Sequence, residues 1–281
     1  MSYGFLKGHG TENDFVLLPD HDGTVHGELS AERVRALCDR RAGIGADGVL
    51  QVVRTVALGP TPSPSIEPVE TTDPVPEWFM DYRNADGSLS EMCGNGIRVF
   101  ALHLYAEGLV PADRPVRIAT RAGVKEVTRN GDTYTADLGV ARLLGETKVA
   151  VEGRTWTAVH VDVGNPHAVV LLDDGTDLAD VVRLWDEPTY DASLYPGGVN
   201  VEFVVRRGRE HIAMRVHERG SGETRSCGTG ACAAAVAAAQ GRHGRCRVDV
   251  PGGTLGVTVR KSGEVFLSGP AVIVASGETD L

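Results

Sequence analysis

The stretch SEMCGNGIR at residues 90–98 is matched by TRSCGTGAC at 224–232. Each carries Cys-Gly-x-Gly ahead of a mostly apolar run, and the two cysteines, Cys93 and Cys227, stand 134 positions apart. The same offset pairs Met80 with Met214, Asn84 with Glu218 and Ala101 with Ala235. Upstream, ENDFVLL at 12–18 resembles NPHAVVLL at 165–172, and GVLQVV from Gly48 resembles VNVEFVV around Asn200, both at an offset of 152. The slip falls between residues 48 and 80, where ALGPTPSPSIEPVETTDPVPE at 57–77 reads as a mobile surface loop inserted in the first copy only. Downstream, VKEVTRNGDTYTADL at 124–138 predicts a hairpin turning at Asn130-Gly131, and GVTVRKSGEVFLSG at 256–269 repeats it around Ser262-Gly263. Matched blocks in one order mark a duplicated unit.

Each copy reads strand, helix, strand, cysteine block, helix, hairpin. Ser30 suits the cap of a helix over AERVRALCDRR, with Val34, Leu37 and Cys38 on one face. The run ACAAAVAAA at 231–239 is apolar all round, which places it inside the protein, where small side chains let strands close around it. The expected fold class is therefore α+β: two pseudo-symmetric domains, each a mostly antiparallel sheet or barrel wrapped around a central helix. The expected active site lies in the cleft between them. The expected borders are 1–120, with the inserted loop 57–77 and the C-terminal strand 267–281, for the first domain and 121–266 for the second.

Composition narrows the function. A formal charge of −10 argues against nucleic acid or an anionic membrane as partner, because phosphate contact needs a basic face. The longest wholly apolar run falls far short of the roughly 20 residues of a membrane helix. The N-terminal MSYGFLKGHGTENDF lacks a basic segment followed by an apolar core, so no signal peptide is expected and the expected location is the cytoplasm. Five cysteines without a C-x-x-C pair suggest reduced thiols rather than a disulfide framework or a zinc site. No phosphate-binding loop, nucleophile elbow or H-E-x-x-H motif is present, so neither a metal nor a cofactor is expected.

A cysteine at a helix start sits among unpaired backbone N–H groups at the positive end of the dipole, which favours its thiolate. The glycines beside it let a carboxylate approach those amides. If two such helix starts face one ligand, one thiolate can remove a proton and the opposite thiol can return one, inverting carbon without a cofactor. A cysteine is more often a small buried hydrophobe, and that reading is kept for Cys38, Cys232 and Cys246. For Cys93 and Cys227 the duplicated setting favours chemistry. Asn13, Asn84, Asn165 and Asn200 fall at strand ends or loops and could be turn formers. His167 and His217 could be structural, and Glu218-Arg219 an exposed pair.

RNADGSLSEMCGNG, DVGNPHAVV, PGGVNVEFV and HERGSGETRSCGTGACAAA resemble the signatures of the diaminopimelate epimerases, and the similarity runs from KGHGTENDFVLL to SGPAVIVASGE. The resemblance implies interconversion of LL- and meso-diaminopimelate without pyridoxal phosphate, in bacterial lysine and cell-wall precursor synthesis. It implies two pseudo-symmetric domains, the terminal strand returning to the first, and a homodimer. It gives Cys93 the part of proton donor and Cys227 that of acceptor in one direction, with the parts exchanged in reverse. His167 and Glu218 would tune or orient the thiols. Gly94, Asn95, Gly228 and Thr229 would hold the reacting carboxylate. Asn13, Asn84, Asn165, Asn200, Glu218 and Arg219 would fix the substrate, chiefly its distal amino-acid end, which needs a cation for its carboxylate and acceptors for its ammonium. Two departures stand out: Gly48 where many members carry Gln, and Thr11-Glu12 where a small or apolar pair is common. The rival readings are a proline or hydroxyproline racemase of the same fold, whose first block resembles MCGHG, and a thiol redox sensor or binding module.

Overall fold

The computed structural model describes residues 2–58, 74–181 and 183–281. Most of the 57–77 insertion lies outside the described residues. The chain divides into two compact units: Met1–Gly10, Asp14–Ala136 and Pro270–Leu281 form one, and Thr11–Asn13 with Asp137–Gly269 the other.

The first unit runs β1 (Tyr3–Gly10), β2 (Asn13–Pro19, whose Asn13 falls in the second unit), α1 (Ala31–Cys38), β3 (Gly48–Arg54), β4 (Trp78–Asn84), α2 (Gly94–Ala106), β5 (Val116–Thr120), β6 (Gly123–Asn130) and β7 (Thr133–Val140, whose Asp137–Val140 fall in the second unit). Ser30 Oγ accepts the Arg33 amide at 3.2 Å and so starts α1, whose Val34, Leu37 and Cys38 are buried. The helix ends earlier than the sequence suggests. Asp39 Oδ1 takes the amides of Arg41 and Ala42, which turns the chain at residue 39. With α1 as crossover, β2 and β3 run parallel, Phe15 opposite Gly48. Strand β4 is antiparallel to β3, with Gly48 opposite Asn84 and Val49 opposite Arg83. The β6–β7 turn is Gly131-Asp132, one residue beyond the expected position, because Asn130 still pairs with Thr133 and Gly131 takes the positive φ of 62°.

The second unit runs β8 (Arg142–Val151), β9 (Arg154–Asp162), β10 (Pro166–Leu171), α3 (Leu178–Val181), β11 (Thr189–Tyr190), β12 (Asn200–Gly208), β13 (His211–Glu218), β14 (Gly222–Thr224), α4 (Gly228–Ala239), β15 (Gly244–Val250), β16 (Gly253–Val259) and β17 (Glu264–Pro270). The last strand, β18 (Val272–Thr279), pairs antiparallel with β1 in the first unit, while β8 pairs with β9 in the second.

The duplication is visible in the strand register. His167 faces Asn200 across parallel β10–β12 and Val201 faces His217 across β12–β13. These pairs reproduce the Phe15–Gly48 and Val49–Arg83 pairs of the first unit at the sequence offsets. Past the central helix the offset becomes 130: Val116–Val127 across β5–β6 corresponds to Cys246–Val257 across β15–β16. In each unit one helix is central. Helix α2 packs on β1, β3, β4, β6 and β18, and α4 on β9, β10, β12, β13, β15 and β16. Residues 228–238 of α4 are all buried, as its all-apolar sequence requires. Helix α2 also buries Arg98 completely, and its guanidinium donates to the carbonyls of Gly94 and Pro270. Among the described residues no helix is long and apolar enough to cross a membrane.

The chain that leads from β2 into α1 and β3 is tied by charge as well as apolar packing. Asp14 pairs with Lys7 at 2.5 Å and Arg40 at 2.7 Å. Burial works to raise the Asp14 carboxyl, but the hydrogen bonds and charges of Arg40 and Lys7 outweigh it and hold it at about 2. A depressed carboxylate contributes stability above its unfolded value of roughly 4, and that stability is lost as pH falls through the folded value. In denaturant titrations the wild type is therefore expected to exceed Asp14→Asn by about 2 kcal/mol near neutrality. The gap closes as pH falls from about 4 to about 2; a gap that persists in acid would show that Asp14 acts through packing instead.

Candidate active site

Cys93 and Cys227 are the N-caps of α2 and α4, with nearly the same backbone: φ −133°, ψ 119° and φ −121°, ψ 119°. Cys93 Sγ accepts the Gly96 amide at 3.3 Å, and Cys227 Sγ accepts the Gly230 amide at 3.3 Å. The cap carbonyls accept from Ile97 and Ala231, each at 2.9 Å. Sulfur thus occupies the place usually held by a Ser or Asp oxygen, beside the first-turn N–H groups that a helix leaves without internal acceptors. Gly94, Asn95, Gly228 and Thr229 supply that first turn, and all four are buried. None of the five cysteines is in a disulfide. Burial pushes Cys38 up to about 12, consistent with a core thiol; Cys232 is fully buried in α4, whereas Cys246 is only half-buried on β15.

In the first unit, the floor beneath the helix start is apolar: a Cβ placed on Gly96 would lie 3.2 Å from Leu50 Cδ2 and 3.5 Å from Phe15 Cζ. Asn84 closes β4 and begins the turn into the cysteine block. Its backbone amide bonds the Ser88 carbonyl and its side-chain Nδ2 the Ser88 hydroxyl, both at 3.0 Å. Gly48, opposite Asn84, has no room for a glutamine side chain, because a Cβ there would lie 2.6 Å from both Tyr82 Cε2 and the Arg83 carbonyl. Gly48→Gln is expected to lower stability by about 1–3 kcal/mol without raising activity. Thermal unfolding and turnover check this together, and a stable, faster variant would refute it.

In the second unit the helix start is polar. Burial pushes the Cys227 thiol well above its ordinary value, and the carboxylates of Glu218 and Glu202 push the same way. The Thr229 hydroxyl, 3.6 Å from the sulfur, and the Gly230 amide oppose them. Glu218 accepts from the Thr224 hydroxyl. His167 lies at 0% exposure between Glu202 Oε1, 2.7 Å from Nδ1, and Asn165 Oδ1, 2.9 Å from Nε2. Asn165 Nδ2 donates to Thr229 Oγ1 at 3.3 Å. Asn200 is spent on the backbone: its Oδ1 accepts the Arg219 amide at 3.0 Å and its Nδ2 donates to the Pro166 carbonyl at 3.3 Å. The Arg219 guanidinium is partly exposed and donates to the Gly197 carbonyl at 3.0 Å. His217 donates from Nδ1 to the Leu184 carbonyl at 2.8 Å, a structural bond.

Residues 11–13 belong to this unit. Thr11 and Glu12 both take positive φ, 51° and 61°, in the turn before Asn13. The Thr11 hydroxyl bonds that of buried Ser226 at 2.7 Å, and Glu12 pairs with Arg225. The Thr11-Glu12 departure therefore anchors the two residues that precede Cys227. Asn13 is buried at the head of β2.

Thus the structure brings His167, Asn165, Thr229, Glu218 and Cys227 together in one unit, and sets Cys93, Gly94, Asn95 and Asn84 in the other. Sequence reasoning missed Glu202, Ser226 and the role of Thr11. Glu202 had a signal: it is the one charge inside VNVEFVV, and its repeat partner at the 152 offset is Leu50.

The sequence model of the diaminopimelate epimerase family matches residues 5–144 and 159–274. A diaminopimelate epimerase of Streptomyces coelicolor is 52% identical, covering 98% of this chain and 95% of its own. That of Thermobifida fusca is 49% identical over 99% of this chain and 98% of its own. Among solved structures, a hydroxyproline epimerase from Agrobacterium vitis with bound trans-4-hydroxy-L-proline superposes with a TM-score of 0.67. It is 14% identical and covers 99% of this chain and 91% of its own. A phenazine biosynthesis protein of the PhzF family from Bacillus anthracis gives a TM-score of 0.66 at 14% identity, with full coverage of both chains. At that identity the two structures share the fold alone.

Proposed function

Because the chain belongs to the diaminopimelate epimerase family, we propose that it interconverts LL- and meso-2,6-diaminopimelate with Cys93 and Cys227 as its acid and base. The observation that carries this reading is the pair of N-cap thiols in equivalent registers of a duplicated unit, each bonded to the amide three residues on. In one direction the Cys227 thiolate takes the α-proton, and the electron pair left on carbon spreads into the adjoining carboxylate. The Cys93 thiol then delivers its proton to the opposite face. One C–H bond breaks, one forms, and nothing is oxidised or reduced. The chemistry requires the two sulfurs to stand on opposite faces of the same carbon.

First-turn amides at Gly94, Asn95, Gly228 and Thr229 suit the negative charge that grows on that carboxylate. Burial, and after it the charge of Glu218, opposes ionisation of Cys227. His167 acts through Asn165, since both of its ring nitrogens face other residues. Arg219 supplies a cation for the distal carboxylate, while Asn13 and Asn84 add neutral polar groups for the distal end. Asn165 and Asn200 serve mainly to hold Thr229 and Arg219 in place. The protein acts without a cofactor, as a cytoplasmic homodimer.

Incubation with LL-diaminopimelate and, separately, with L-proline in deuterated water tests the assignment. Deuterium is expected at the α-carbon as the meso isomer forms, with proline unlabelled. Label entering proline alone would overturn the reading in favour of a proline-type racemase.

A further inference from the structure

Four side chains behind Cys227 form a chain with one direction. Asn165 spends its amide nitrogen on Thr229 Oγ1 at 3.3 Å, so its oxygen is left to accept from His167 Nε2–H at 2.9 Å. On the far side of the ring, Nδ1 lies 2.7 Å from Glu202 Oε1, a contact that needs one proton between them. The buried pair therefore holds two protons and no net charge. Thr229, which receives a hydrogen from Asn165, can turn its own hydroxyl hydrogen toward Cys227 Sγ at 3.6 Å. Every link has a donor on one side and an acceptor on the other.

The duplicated fold does not need this chain. At the 152 offset His167 and Glu202 correspond to Phe15 and Leu50, which fill the same place beneath the other helix start with apolar atoms. Burying an imidazole and a carboxylate at 0% exposure is unfavourable compared with such packing, and among the described residues Glu202 Oε2 has no hydrogen-bond partner.

We propose that Glu202 is a positioning residue which, through His167 and Asn165, orients the Thr229 hydroxyl to donate to the Cys227 sulfur when that sulfur becomes a thiolate. This rests on the reading of Cys227 as one of the two reacting thiols. The charged groups facing the sulfur are Glu218 on β13 and Glu202 on β12, the latter balanced by His167 on β10. Removing the carboxylate charge also removes the second imidazole proton, so the net charge near the sulfur is unchanged. Glutamine could donate its amide hydrogen to Nδ1 and leave the chain intact, whereas leucine, the residue at the matching position 50, takes away the partner that holds the ring against Asn165 and with it the order of the chain.

The test is the ultraviolet absorbance of the Cys227 thiolate, titrated for each variant against its own Cys227→Ala background. Glu202→Leu and Thr229→Val are expected to leave about tenfold less thiolate at a given pH, whereas Thr229→Ser, which keeps the hydroxyl, titrates as the wild type. The Cys93 thiolate, read in the same way, does not move. With substrate, Glu202→Leu lowers kcat and leaves KM unchanged. An unchanged Cys227 profile would overturn the proposal. So would a shift to lower pH in Glu202→Leu, which would mean that the direct field of the carboxylate dominates. If Glu202→Leu does not fold by circular dichroism, the two Thr229 variants decide. The titration needs no substrate, so failure of the wild type to epimerise diaminopimelate would be a separate result.

Discussion

Alanine at either Cys93 or Cys227 is expected to lower kcat/KM for LL-diaminopimelate by about a thousandfold, and alanine at both to lower it no further. The two thiols serve one proton relay across a single carbon, so losing either ends turnover and the second loss has little left to remove. Each sulfur also caps its helix by accepting the amide three residues on, and its removal costs about 1 kcal/mol of stability. Serine separates these two effects. Its hydroxyl restores the cap but is too weak an acid to exchange protons with an α-carbon at neutral pH, so Cys→Ser variants should be stable and inactive. Steady-state turnover, with chiral analysis of the product, measures the outcome. A double variant slower than either single variant by the product of their losses would mean the thiols act independently, contrary to the two-base scheme.

The second large effect is an asymmetry between two glycines that the sequence shows as equivalents. A Cβ on Gly230 would lie 2.6 Å from Glu202 Oε1 and 3.2 Å from Cys227 Sγ. The carboxylate is fully buried and held by His167, so it cannot withdraw without breaking that bond. Gly230→Ala should cost about 1–3 kcal/mol and, by displacing the sulfur and its supports, about a hundredfold in kcat. A Cβ on Gly96 would meet Leu50 Cδ2 at 3.2 Å and Cys93 Cβ at 3.3 Å, and the leucine methyl can rotate away. Gly96→Ala should therefore be clearly milder in both stability and turnover. Equal losses, measured by denaturation and by kcat, would show that the floor beneath the two helix starts does not distinguish them.

Much of this was legible because duplication turns weak signals into paired ones. Ser30 as a cap, the buried face of α1 and the wholly buried α4 follow from local chemistry and periodicity, and the structure bears them out. The end of α1 was not legible, because it depends on the Asp39 carboxylate competing for two amides. Nor was the β6–β7 turn, which moved by one residue to give Gly131 the positive φ. At the site, the cysteines announced themselves by motif. The bonds that commit Asn200 to the Arg219 backbone and Pro166, and His167 to Glu202, join residues far apart in sequence and leave no spacing to read.

By itself, the sequence determined the two-copy plan, the α+β class, the helix starts at Cys93 and Cys227 and the family, because each follows from residue type, period and order along the chain. The return of the terminal strand to the first domain was expected from the resemblance, but only the tertiary structure decided that its partner there is β1, that Gly48 is closed off by Tyr82, and that Thr11 anchors Ser226. It also decided that one duplicated floor is apolar and the other holds a buried acid and imidazole. The physical reason is the same throughout. Pattern fixes which face of an element is buried, but what a buried polar group finds there depends on side chains brought from elsewhere, and only the folded chain supplies those neighbours.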